Sequence, residues 1–339
     1  MIREAIQQLV ASEDLERELT TLAMDEIMNG EASASQIAGF LVALRMKGET
    51  VDELVGLVTS MRGHATNIEA PAGAIDTCGT GGDGAGTFNI STAAAIVVRG
   101  CEVPVAKHGN RASSSQCGSA DVFEALGVPV DLPAKSVEEC LKRCGIGFLF
   151  APTFHPAMRH AAATRKELGV RTVFNFLGPL ANPAGVRRQA LGVGSAPTAG
   201  KMVQVLAALG HERALVFYSE DGLDELSTVA DSHVFELRDG VIREYTVDPV
   251  SLGLPRAEPA DLKGGDAEAN AEIIRRVLDG QPGPQRDVVL LNAAAGLVAA
   301  DRADDFAQGI QLAAAAIDGH AAQAALEDLR IVSRSLVKA

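Results

Sequence analysis

Over the first 65 or so residues, apolar side chains recur at helical spacing and nowhere at strand spacing. Ile2, Ile6, Leu9 and Val10 share one face, and Leu15, Leu19, Leu22, Ala23 and Ile27 form a second stripe ended by Asn29-Gly30. Ile37, Phe40, Leu41 and Leu44 form a third, ended by Gly48. Thr50-Val51-Asp52-Glu53 reads as a capping box that opens a fourth. Four short amphipathic helices bury only a small core of their own, so this part is expected to lean on something else, with a second copy of the chain as the expected partner.

From Ala74 the pattern changes to strands alternating with helices. A short strand ends near Thr77, and further strands are predicted over 103–106, 147–150, 189–194, 213–218 and 233–237. Helices are predicted over 91–99, 119–126, 137–143, 198–209, 266–278 and 287–300. The fold class is therefore α/β: a small all-helical domain plus a large α/β domain with a mostly parallel central sheet flanked by helices. A helical stretch punctuated by Pro and Gly, 152–185, interrupts the alternation and is expected to return to the helical part. The expected division is 1–70 plus about 160–186 for the small domain, and 71–159 plus 187–339 for the large one.

Length and charge narrow the function. At 339 residues the chain suffices for two domains. A net charge of −14 argues against a nucleic-acid partner, which would want a basic face. The cysteines, Cys78, Cys101, Cys117, Cys140 and Cys144, form no CxxC pair, and such an unpatterned set is expected to be reduced and cytoplasmic. The N-terminus reads as an amphipathic helix and not as a signal peptide. The longest apolar run, 288–300, is too short to span a bilayer and contains Asn292, so no membrane association is expected.

The densest chemical signal is Asp76-Thr77-Cys78-Gly79-Thr80-Gly81-Gly82-Asp83-Gly84-Ala85-Gly86-Thr87-Phe88-Asn89-Ile90-Ser91-Thr92, between a predicted strand and a predicted helix. Glycines at this density let successive N–H groups turn toward one point, and the helix N-terminus adds donors and a positive dipole end. The loop is thus built for a phosphate or pyrophosphate. A Walker-type loop is excluded, because Ala85-Gly86 stands where Lys-Ser/Thr is required. A dinucleotide-binding loop fits poorly, since the helix opens too late and Ala106-Lys107 stands where a ribose-binding acid belongs. A pyrophosphate-bearing sugar bound with Mg²⁺ gives Asp83 a use.

Three further constellations carry chemistry. Lys107-His108-Gly109-Asn110-Arg111 follows a predicted strand and offers a point charge, a sharp turn and an amide, with Ser113, Ser114 and Ser115 behind it; a solvated basic turn is the plain alternative. His108 reads as a polar wall residue more than a base. Asp224-Glu225, beside Gly222 and after a strand, suits Mg²⁺, or equally the acidic first turn of a helix. Arg165 shares a predicted helix face with Met158, Ala161 and Ala162, which calls for an anion, a carboxylate above all, unless the arginine pairs with a structural acid or snorkels.

Taken together with Gly118-Ser119-Ala120-Asp121 and the segment from Arg171-Thr172-Val173-Phe174-Asn175 through Gly178-Pro179-Leu180-Ala181-Asn182-Pro183, these blocks resemble the anthranilate phosphoribosyltransferase family. Each is weak alone; in this order along most of the chain they are specific. The resemblance implies a homodimer joined through the helical domain and a fold similar to the pyrimidine nucleoside phosphorylases. It implies transfer of the 5-phosphoribosyl group of phosphoribosyl pyrophosphate (PRPP) to the amine of anthranilate, a step of L-tryptophan biosynthesis. By resemblance, PRPP would meet Gly79, Gly82, Asp83, Thr87, Asn89, Ile90, Ser91, Thr92, Lys107, Ser115 and Ser119. Ser91, Asp224 and Glu225 would hold two Mg²⁺ ions per subunit, and Gly79, Asn110 and Arg165 would meet anthranilate. Gln116 departs from the pattern, where many relatives carry a basic residue, which leaves one phosphate contact open. No residue stands out as a general base. A nucleoside phosphorylase, or a non-catalytic relative that binds nucleic acid, are the alternatives.

Overall fold

A computed structural model describes residues 1–112 and 116–337. The N-terminal helices are α1 (Ile2–Val10), α2 (Arg17–Met28), α3 (Ala34–Lys47) and α4 (Val51–Gly63). The predicted capping box opens α4: Thr50 Oγ1 accepts the Glu53 N–H at 3.2 Å, and Glu53 Oε2 accepts the Thr50 N–H at 2.7 Å. Two residues of the expected apolar stripes face outward instead, Val10 and Leu22, because Ala5 takes the buried position between Ile2 and Leu9, and Met24, Ile27 and Met28 complete the inner face of α2.

The sheet has seven strands in the order β3-β2-β1-β4-β5-β6-β7, where β1 is Ile75–Gly79, β2 Val105–Gly109, β3 Ile146–Phe150, β4 Arg188–Gly192, β5 Arg213–Ser219, β6 Ser232–Arg238 and β7 Val241–Val247. The first five run parallel; β6 and β7 are antiparallel. Several features differ from the sequence reading: β4 stops at Gly192 and not at 194, the helices Phe306–Asp318 and Ala321–Leu336 are additional, and two strands differ as follows. Strand β2 extends through Lys107 and His108, because its ladder with β3 runs from Val105 opposite Ile146 to Gly109 opposite Phe150. Strand β7 was not predicted, although Asp239-Gly240 is a two-residue hairpin turn with φ of 52° and 78°, as a type I′ turn requires.

Both sheet faces are covered. On one, Ile75, Ala190, Leu215, Phe217 and Val234 pack into the core that holds α5 (Ile90–Gly100) and the helices Ala267–Leu278, Pro284–Ala299, Phe306–Asp318 and Ala321–Leu336. On the other, Leu191, Val193, Ala214, Val216 and Leu237 join the helix Ala196–Ala208 and the N-terminal helices in a single core. That second core also takes in Ala161, Val173, Phe174, Leu177 and Leu180 from the interrupting stretch. Arg62 of α4 donates from Nε and Nη2 to the Leu180 carbonyl at 3.0 and 2.7 Å.

Strands β1, β2 and β3 build outward in one direction and β4 onward in the other. The strand order therefore reverses between β1 and β4, and the space beyond the carboxyl ends of those two strands is where open α/β sheets hold their ligands.

Candidate active site

Gly79 and Gly192 are register partners at the ends of β1 and β4. A Cβ on either would collide with Asp224, on the carboxylate from Gly79 and on the carbonyl from Gly192. Both strands thus end in glycine to admit the acidic turn that follows β5. Asp224 and Glu225 are buried there. Asp224 Oδ2 accepts the N–H of Gly81. Asp83 Oδ2 lies 3.5 Å from the Asp224 amide nitrogen, and Glu225 Oε1 accepts the Ser91 N–H at 3.1 Å. The structure thereby brings Gly79, Asp83, Ser91, Asp224 and Glu225 to one place.

This place is short of positive charge. Burial, then the charge of Asp83, raises the Asp224 carboxyl to about 7. Burial, then the charge of Asp224, raises Glu225 to about 8. Lys107 is the cation that opposes the second shift, but its ammonium is itself buried and donates to the Thr77 carbonyl. A hard divalent cation would offset both shifts. Among the described residues no three His, Cys, Asp or Glu side chains converge to chelate an ion unaided. The adjacent Asp224 and Glu225 carboxylates suit Mg²⁺, which takes one or two carboxylates and completes its shell with water and substrate phosphate. The donor set fits the metal.

The glycine loop is conformationally committed. Gly81, Gly82, Gly84 and Gly86 all have φ between 65° and 76°, in the left-handed region that glycine enters without cost. Asp83 Oδ1 accepts the Ala85 N–H at 3.0 Å, and Lys263 Nζ donates to the Ala85 carbonyl. Thr87 makes an isolated bridge to Lys263. Ile90 lies in the core, and Thr92 is buried with its hydroxyl unpartnered among the described residues.

A second cluster gathers beyond β2. The Asn110 carbonyl accepts the Ala120 N–H at 3.2 Å and the Ser119 hydroxyl at 3.3 Å. Asn89 Nδ2 donates to the Cys117 carbonyl at 3.2 Å, and Asn89 Oδ1 accepts from Asn270 at 3.0 Å. Ser115 lies outside the described residues. Gln116 is exposed. His108 is buried with Nδ1 3.1 Å from the Gly178 carbonyl; burial and the neighbouring His155 lower it to about 3, so the ring is neutral near pH 7.

Arg165 sits on the helix Arg159–Leu168, which a short 3₁₀ turn over Pro156–Met158 precedes and Gly169, at φ 61°, closes. The buried positions of that helix are Ala161 and Thr164; Ala162, expected on the apolar face, is exposed, because the helix buries a narrower stripe than its composition offers. Arg165 is partly buried at the edge of that stripe, its guanidinium 5.1 Å from the centre of the Phe174 ring, and burial lowers its pKa. It has no carboxylate partner among the described residues. A guanidinium in this position keeps donors that a carboxylate could accept bidentately.

Comparison with known proteins matches two domains of a glycosyl transferase family: the helical bundle domain over residues 3–65 and the a/b domain over 72–323. An anthranilate phosphoribosyltransferase of Thermomicrobium roseum is 53% identical over 344 residues, covering 100% of this chain and 99% of that one. The enzyme of the same name from Beijerinckia indica is 51% identical over 328 residues, covering 97% and 96%. The chain belongs to the anthranilate phosphoribosyltransferase family. The anthranilate phosphoribosyltransferase structure from Thermus thermophilus superimposes with a TM-score of 0.93 at 43% identity, covering 97% of this chain and 99% of that one. The Saccharomyces cerevisiae enzyme in complex with PRPP and Mg reaches 0.92 at 27% identity, covering 99% and 98%. Like other anthranilate phosphoribosyltransferases, the chain is a glycosyltransferase acting on a pentosyl group, and the phosphorylase and nucleic-acid alternatives give way to it.

Several residues outside the expected site set also shape the site. Asn182 Nδ2 donates to Asp76 Oδ2 at 2.8 Å and to the Ala106 carbonyl at 2.9 Å, while Asp76 Oδ1 accepts the His108 N–H at 3.2 Å. These bonds tie β1, β2 and the 178–185 loop together, and burial raises Asp76 to about 6. Gly192, Asn270 and Arg171 belong to the same group: each acts on a segment remote in sequence, and Gly192 lies inside the strand expected over 189–194, which ends at Gly192 instead.

Proposed function

We propose that the space beyond the carboxyl ends of β1 and β4 binds PRPP with two Mg²⁺ ions and that anthranilate enters from the side of Arg165. The reaction is transfer of the 5-phosphoribosyl group of PRPP to the amine of anthranilate, giving N-(5-phosphoribosyl)anthranilate and pyrophosphate in L-tryptophan biosynthesis. The observation that carries this is the meeting, at the strand-order reversal, of the glycine loop and the following helix N-terminus with a buried Asp224-Glu225 pair that accepts the Gly81 and Ser91 N–H groups.

Asp224, Glu225 and Ser91 are the residues to hold the ions. Bound Mg²⁺ neutralises charge on the departing pyrophosphate. The loop from Gly79 to Asp83, with Thr87, Asn89, Ile90, Ser91 and Thr92, cradles the pyrophosphate and ribose, and Lys107, Ser115 and Ser119 complete that site. Arg165 takes the anthranilate carboxylate, while Asn110 and the Gly79 backbone align the ring. The amine nitrogen forms its bond to C1 of the ribose as the C1–O bond to pyrophosphate breaks, and pyrophosphate leaves with the electron pair. The nitrogen then loses a proton to solvent. His108, neutral and buried, is a wall and not a proton carrier. Catalysis is thus positioning and charge stabilisation.

The subunit divides as 1–70 plus about 160–186, the helical part, and 71–159 plus 187–339, the α/β part. The helical part joins two subunits in a homodimer, in keeping with exposed apolar side chains at Val10, Leu22 and Met46. No helix of the described residues is long and apolar enough to cross a membrane, and a cysteine set without a CxxC pair suits the cytoplasm. No nucleic-acid partner is proposed.

Stoichiometry tests the reaction. One pyrophosphate is expected for each anthranilate consumed. Orthophosphate-dependent release of uracil or thymine from a nucleoside, without pyrophosphate formation from PRPP, would contradict it.

A further inference from the structure

Arg171, exposed beyond the Gly169 cap, places its guanidinium on the glycine loop. Nη1 donates to the Gly82 carbonyl at 2.8 Å and Nη2 to the Gly81 carbonyl at 3.1 Å. A peptide unit is planar and trans, so its carbonyl and the next N–H point in opposite directions. Holding the Gly81 carbonyl against the arginine turns the Gly82 N–H away from it, and holding the Gly82 carbonyl does the same for the Asp83 N–H. Neither N–H donates to a protein group among the described residues. Two free donors are therefore fixed on the side of the loop opposite Arg171, as an anion nest requires. The fit is close: Gly82 has φ 76°, and a Cβ there would collide with Arg171 Nη1.

The other end of this connection is Arg165. The Thr172 N–H donates to Asn175 Oδ1 at 2.8 Å, and Val173 and Phe174 are buried, so the turn that presents Arg171 is braced from within. The Phe174 ring of that same turn lies under the Arg165 guanidinium. Whatever fixes Arg165 against Phe174 also fixes the turn that carries Arg171.

We infer that Arg171 is a positioning residue that sets the phosphate-binding N–H groups of the glycine loop and couples carboxylate binding at Arg165 to PRPP binding at the loop. The inference rests on the reading of the loop as the PRPP site. Ordering by one ligand lowers the cost of binding the other, and the coupling is reciprocal.

Equilibrium binding of PRPP with Mg²⁺ tests it, with and without benzoate, which carries the carboxylate of anthranilate but no amine and so permits no turnover. In the unaltered protein, benzoate is expected to tighten PRPP binding. In Arg171→Ala, PRPP binding weakens about tenfold, as expected on losing charge-assisted hydrogen bonds. Benzoate alone binds as before, and the tightening disappears. Arg171→Lys recovers part of the PRPP affinity, because an ammonium serves one carbonyl and not a fork. PRPP affinity unchanged in Arg171→Ala, or lowered with the benzoate effect intact, overturns the inference. If the alanine variant does not fold, an Arg171→Lys protein with native affinity and native coupling overturns it equally. Failure of the unaltered protein to bind PRPP would remove the parent reading and this inference together, a distinct result.

Discussion

Asp224→Asn combined with Glu225→Gln is expected to cut kcat/KM by on the order of 100- to 1,000-fold, the scale on which removal of a charge-stabilising group acts. The same variant is expected to be more thermally stable than the unaltered protein when Mg²⁺ is absent. Both carboxyls are buried and raised, to about 7 and about 8, by desolvation first and by neighbouring negative charge second. A carboxyl raised in the folded state contributes stability that is complete at acid pH and is lost as pH rises through those values. Neutral amides of the same shape remove that loss. In the unaltered protein, Mg²⁺ is expected to raise the melting temperature, and by more at pH 8.5 than at pH 6, because ion binding requires the ionised pair. Thermal melts with and without Mg²⁺ at both pH values, alongside a Mg²⁺ titration of activity, read all three effects. A variant whose activity and Mg²⁺ titration match the unaltered protein would remove the pair from the metal site.

Arg165→Ala is expected to raise the anthranilate KM about 10- to 100-fold, the loss of roughly 1.5–3 kcal/mol for a charge-assisted contact, and to change the PRPP KM only a few-fold. The guanidinium is half-buried, stacked on Phe174 and without a carboxylate among the described residues, so an incoming carboxylate gains a contact already desolvated on one side. Arg165→Lys is expected to recover only a part, since the ammonium lacks the planar fork. An unchanged anthranilate KM would place the carboxylate elsewhere.

The parts of the site that could be read in the sequence are those whose chemistry is local. The glycine run announces a nest because left-handed backbone is a property of single residues, and Gly81, Gly82, Gly84 and Gly86 all adopt it. The Asp224-Glu225 pair is visible because the two acids adjoin. The helical part and the parallel β-strands follow from periodicity. Arg171 carries no such mark: its role comes from reaching across 89 residues to the Gly82 carbonyl. Gly192 matters through Asp224, which arrives from a different strand end. Strand β7 announces itself only in its Asp239-Gly240 turn; its own residues are mostly exposed, so no buried face repeats along it. Val10 looks apolar and faces solvent because a helix this short buries one narrow stripe.

The central claim is that the site beyond the ends of β1 and β4 joins PRPP and anthranilate with the help of Mg²⁺. The most direct measurement follows anthranilate fluorescence in the presence of the protein, PRPP and Mg²⁺, with each of the last two omitted in turn. The account predicts a decay that requires both. No decay with correctly folded protein, or a decay that persists without Mg²⁺, would contradict it.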